Sequence, residues 1–168
     1  MSCNKDTVVI EEMVKPGAPY MRPEYRAIHW WPTPGADDLD PEVPGEVASA
    51  FGEGMRALSV RAPRAAVVMF RGMLAFLVQD KGSQEAKSKN SLFKRLEAMA
   101  QDGTLHPSLV DWAKEIRVIG NAGAHPDELG PVSEEEARDL SRLCRQMISV
   151  VYEVPARIAR SRSADASA

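Results

Sequence analysis

Thiols are scarce: Cys3 and Cys144 are the only two cysteines in a chain of 168 residues. A pair so widely separated supplies neither a four-ligand zinc site nor a disulfide framework, so the sequence predicts a reduced, cytoplasmic protein without metal or cofactor. Long apolar runs are also missing. The longest, around residues 65–70, falls well short of the roughly 18 residues that a bilayer-spanning helix requires. The first residues lack the basic-then-apolar order of an export signal, and no membrane association is expected. Nor does one charge dominate. Lys and Arg number 21 against 24 Asp and Glu, a net charge of −3, so any contact with nucleic acid has to come from a local patch.

What is present is ordinary globular material, 44% hydrophobic and 27% charged. A chain of this length folds as one domain and hides about 70% of the surface exposed when unfolded. Residues 1–43 form an irregular arm, because Pro16, Pro19, Pro23, Pro32, Pro34 and Pro41 remove backbone donors too often for a long helix. Residues 7–10 read as a short strand within it. The apolar area of Trp30 and Trp31, beside His29, predicts that these indoles pin the arm to the rest of the chain.

From residue 44 the pattern turns helical, and residues 44–160 read as an all-α antiparallel bundle of about five helices. The first carries Val47, Phe51, Met55 and Leu58 on one face, with Gly52 and Gly54 demanding support from packing. The second starts at Pro63 and bears Ala66, Val67, Phe70, Met73, Leu74, Leu77 and Val78. Residues 80–89 read as a polar loop. A third helix, capped by Asn90 or Ser91, stops near Gly103, and a fourth opens at His106 and Pro107. Ser133 with Glu136 forms a capping box for the fifth, which Pro155 is expected to kink or end. Residues 161–168 are small, polar and expected to be disordered.

The candidate site lies at the end of the fourth helix, where Arg117, Asn121 and His125 recur at i, i+4, i+8 and share a face if helical geometry persists. A guanidinium, an amide and an imidazole placed together on a phosphodiester supply charge stabilisation, orientation and an acid or base. The alternative is purely structural. Gly120 and Gly123 unwind the helix, Asn121 caps it, and His125 before Pro126 bonds a turn carbonyl.

The segments WPTPGADDLDPEVP, PRAAVVMFRGMLAFLVQDKG, LFKRLEAMAQDGTL and EIRVIGNAGAH, in that order between Trp30 and about Val151, resemble the bacterial domain-of-unknown-function family 4145. That family is similar in turn to the HEPN superfamily of helical domains, which commonly dimerise and often cut RNA without metal through an Arg-Asn-x-x-x-His motif. The resemblance places the motif asparagine on Asn121 and its histidine on His125, but its arginine on Gly120. Members often carry a cysteine-rich element before the tryptophan-proline segment; here only Cys3 remains.

Elsewhere, Arg64 and Arg71 with Arg61 form a candidate anion patch, against which stands pairing with acids such as Glu53. Lys87 and Lys89, with Lys94 and Arg95, are the best candidates for a nucleic-acid contact, against a solvated loop. Arg138, Arg142 and Arg145 read as partners for Glu134 and Glu135 along an exposed face. The expected function is a non-catalytic interaction or RNA-associated module. The resemblance adds a homodimer, with RNA or a nuclease-system protein as partner and an accessory role in bacterial defence. Two alternatives remain: a metal-independent endoribonuclease using His125, Asn121 and Arg117, and a pure protein-binding scaffold.

Overall fold

The computed structural model describes residues 7–31, 38–116 and 131–165. Helix α1 (Gly45–Ser59) begins where the prolines stop, directly after an extended Pro44, and buries Val47, Ala50 and Phe51 on one face. Its partner α2 (Pro63–Lys81) starts with proline at the first helical position, where the missing N–H has no intrahelical partner to lose. Every core residue of α2, from Ala66 to Val78, is fully buried, which makes this helix the centre against which the others pack. The expected support for the α1 glycines is a close approach. A Cβ on Gly54 would sit 2.4 Å from Phe70 Cε1, so only glycine lets α1 come this near. The Phe51 and Phe70 ring centroids are 5.8 Å apart, tilted at 46°. The turn out of α1 places Arg61 at φ 57°, a left-handed conformation rare for a side chain of this size.

The polar stretch expected to be a loop contains a short helix, α3 (Gln84–Ser88), because Ser83 accepts the Ala86 N–H as an N-cap and Ala86 is buried beneath it. Ser91 caps α4 (Leu92–Gln101), and Gly103 leaves it at φ 80°. Helix α5 (Pro107–Glu115) is capped by the His106 ring and ends in an extended Ile116. The expected capping box of Ser133 and Glu136 is present at the start of α6 (Glu134–Ile148). Pro155 does not end the helical run. A π-helical turn (Ser149–Glu153) precedes it, shifting the hydrogen bonding where the ring would otherwise strike a carbonyl, and α7 (Val154–Asp165) continues beyond. Residues 161–165 are thus helical rather than disordered, with the Ser161 and Ser163 hydroxyls donating to the Arg157 and Arg160 carbonyls.

The arm is not irregular either. Strands β1 (Val8–Lys15) and β2 (Glu24–Trp31) form an antiparallel hairpin in which Val9 faces Trp30 and Met13 faces Tyr25. Pro16, Pro19 and Pro23 fall in its connection, where they cost no ladder hydrogen bond. There Ala18 and Met21 exchange backbone bonds of 3.1 and 2.9 Å around Pro19. The indoles do not pin the hairpin down. Trp30 and Trp31 remain 45% and 59% exposed, because their pairing partners are other hairpin residues rather than the bundle core.

Candidate ligand cleft between α1, α5 and α6

Arg117, Asn121 and His125, like Gly120, lie outside the described residues. The sequence-predicted cations split between two places. Arg64 and Arg71 stand on α2, Arg71 half-buried and its guanidinium pKa lowered by that burial. Lys87 and Lys89 stand on and just after α3. Lys89 is bonded to Glu85 at 2.9 Å, and Arg95 Nε donates to the Lys89 carbonyl at 2.8 Å. Two members of the predicted basic cluster are therefore tied into local structure. Arg61 approaches Glu134 at 4.0 Å, and Glu53 accepts from Ser49 Oγ at 3.2 Å.

A different set of side chains converges where α1, α5 and α6 meet. Phe51 and Met55, one turn apart on α1, and Trp112 on α5 form an apolar wall. Ser141, Arg142, Arg145 and Gln146, all from one side of α6, line the same cleft, together with Asp38. The cavity holds about 470 Å³, within the range of sites that take small organic ligands. Each of its two guanidiniums carries one ion pair. Arg142 pairs with Asp139 on the helix surface, and Arg145 Nη1 donates to Glu153 Oε2 at 2.8 Å. An arginine has five N–H donors, so one such bond leaves others for a ligand.

Glu153 is what fixes Arg145. It sits in the π-helical turn, only 4% exposed, and its other carboxylate oxygen accepts the Asp40 backbone N–H at 3.3 Å. Burial alone would push its pKa up; the Arg145 and Asp40 hydrogen bonds with the Arg145 charge overcome this and hold it below the ordinary value. Asp40 in turn accepts from Arg160 Nη1 on α7 at 3.1 Å, and this bond, more than any other contact, lowers the Asp40 pKa. The result is a chain of charge from α6 through the π turn to the segment before α1. Sequence reasoning assigned Arg142 and Arg145 to Glu134 and Glu135; of that group only Arg138 meets Glu134, at 2.8 Å. The missed signal was Glu153, an acid eight residues beyond Arg145 in a stretch otherwise of apolar period.

Two other buried groups lie away from this cleft. Cys144 is fully buried, with its thiol pKa raised by desolvation and its Sγ 3.8 Å from the Phe70 carbonyl, so it behaves as a core residue. The Tyr152 hydroxyl is buried and has no hydrogen-bond partner among the described residues, and burial followed by the nearby Asp80 carboxylate pushes its pKa up. Lys81 Nζ stands 5.3 Å from the ring centroid.

Among the described residues, no cluster of His, Cys, Asp and Glu could hold a metal ion, and no helix is long and apolar enough to cross a membrane. Searches among curated proteins and among solved structures return no match. One family model does match, over residues 53–164, that is, from the middle of α1 into α7. Since this span covers more than half of the chain, the chain belongs to the family described as the domain of unknown function DUF4145.

Proposed function

We propose that this chain is a non-catalytic, RNA-associated interaction module that holds an unpaired nucleotide in the cleft between α1, α5 and α6. The observation that carries the reading is that Met55 and Trp112, both partly exposed, line one cleft with Arg142 and Arg145. An aromatic and thioether surface takes the face of a base, guanidiniums take the phosphate, and a serine hydroxyl and a glutamine amide reach a base edge. The acidic overall balance does not oppose it, because the cations are local. The non-catalytic half of the reading rests on Gly120, which stands where the resembling motif carries its arginine.

Gel-shift titration of single-stranded RNA at low salt tests this reading. Binding should weaken as salt rises, and Arg142→Ala should lower the affinity roughly tenfold and flatten the salt dependence by about one phosphate contact. Arg142 is chosen because its side chain is 63% exposed and its ion pair lies on the surface, so the fold should survive. A shift that is absent, or equal in wild type and variant, would overturn the assignment. The same RNA, incubated with the protein in chelator, should stay intact. Cleavage that disappears in His125→Ala would replace this reading with the endoribonuclease.

A further inference from the structure

A second cavity lies between α1 and α2 and shares no lining residue with the cleft described above. It holds about 580 Å³, room for a small organic molecule. Helix α2 contributes Val68, Met69, Gly72 and Phe76, which recur on one side of the helix. Val68 and Phe76 are 38% and 40% exposed there, while the opposite side of α2 is the fully buried core. Gly72 leaves the cavity open. A Cβ at this position would meet nothing within 4 Å, so the packing that demands glycine at residue 54 makes no such demand here.

Helix α1 contributes the charge. Glu46 and Glu53 both line the cavity, with Ser49 between them. Seven residues separate them, which is two turns and about 10 Å along one side of the helix. Glu46, in the first turn, faces the positive end of the α1 dipole. Glu53 accepts from Ser49 Oγ at 3.2 Å, and a carboxylate keeps further lone pairs after one such bond. Among the described residues neither carboxylate has an ion pair. No lysine or arginine lines the cavity, Arg64 and Arg71 of α2 included. Joined by a short turn, α1 and α2 run in opposite directions. Since Gly54 packs on Phe70, Glu53 stands towards Val68 and Met69, and Glu46 towards Phe76.

We infer that this cavity binds an organic dication, two ammonium groups about 10 Å apart on an apolar chain, the class of long-chain diamines and polyamines. The chain covers Val68 and Phe76 and lies over Gly72, and each ammonium meets one carboxylate in charge-assisted hydrogen bonds. A fatty acid offers the same chain but brings an anion to two anions. A neutral alcohol covers both carboxylates without a cation, which costs their hydration for no return. The inference is independent of the RNA reading, because the two cavities have no residue in common.

Calorimetric titration of the full chain at low salt with octanediamine bearing terminal amines, with octylamine and with octanoate tests it. The diamine should bind roughly tenfold more tightly than octylamine, and octanoate should not bind. Glu53→Gln should reduce the diamine to the affinity of octylamine. Gly72→Leu should abolish binding of both amines by filling the cavity. Its thermal midpoint should not fall, since the new Cβ has room and leucine favours helix over glycine. Octanoate binding as tightly as the diamine, no binding of the diamine, or an affinity unchanged in both variants would overturn the inference. Sedimentation equilibrium provides the competing outcome. A dimer of the wild-type chain that Phe76→Ser dissociates would give this face to a second copy instead.

Discussion

The hairpin and the bundle meet water in opposite ways. In α2, seven consecutive core positions from Ala66 to Val78 are completely buried, and the helix is held by α1, α4 and α6 together. In the hairpin, pairs such as Val8–Trp31 and Met13–Tyr25 meet each other and then solvent. Apolar content alone therefore does not make a core. A side chain is stabilising to the extent that its area leaves water on folding, and among the described residues the apolar side chains of the hairpin largely forgo that step.

The contrast is sharpest for aromatic side chains. Phe70→Ala should cost about 3–5 kcal/mol, because it empties a site between α1 and α2 that cannot collapse. Trp31→Ser, a change of similar size at a side chain 59% exposed, should stay within about 0.5 kcal/mol. Urea unfolding followed by helical circular dichroism measures both, and equal losses would erase the distinction between the two regions.

The second test concerns the charge chain beside the cleft. Arg145→Met leaves the Glu153 carboxylate, 4% exposed, without its principal partner. A cost of roughly 2–3 kcal/mol is expected, below the full value for a buried pair because Arg145 itself is partly in solvent. The pH dependence has a definite sign. Glu153 and Asp40 both have folded pKa values below their ordinary 4.5 and 3.8, so their stabilisation is complete above those values. It is lost as the pH falls through the lower folded ones. Acid titration of the wild type should therefore show a loss of stability in that window that Arg145→Met shows to a smaller degree.

A smaller effect probes the approach of the two central helices. Gly54→Ala puts a methyl where Phe70 already stands, and overpacking of this kind costs about 1–2 kcal/mol despite the better helix propensity of alanine. A gain in thermal midpoint would mean that α1 and α2 have room to separate. The smallest expected change is a gain: Arg61→Gly relieves the left-handed backbone at φ 57° and should add about 0.5–1 kcal/mol. The corresponding rise in thermal midpoint, a few degrees for a chain of this size, is within calorimetric reach.

Much of the bundle was legible in the residues because its signals are local. Pro63 at a helix start, Ser91 as a cap, the Ser133–Glu136 box and the four-three spacing of apolar residues each act within one or two turns. The misreadings came where neighbours far along the chain decide. Proline count disguised a hairpin, since it matters where the prolines fall relative to the ladder and not how many there are. Pro155 reads as a kink or a stop, and the π-helical turn ahead of it rules out only the stop. Of the site, the sequence singled out Arg117, Asn121 and His125, which lie outside the described residues, and it put Arg145 with the wrong acids.

By itself, then, the sequence determined that residues 44–160 are mostly helix and which faces of those helices are apolar, because periodicity and capping are properties of neighbouring residues. Tertiary structure alone decided that Phe51, Trp112 and Arg145, from three separate helices, line one cleft. It also decided that Glu153 is buried as an ion while Trp31 stays in water. The physical reason is that burial and charge pairing are set by which surfaces meet, and no local pattern encodes the partner.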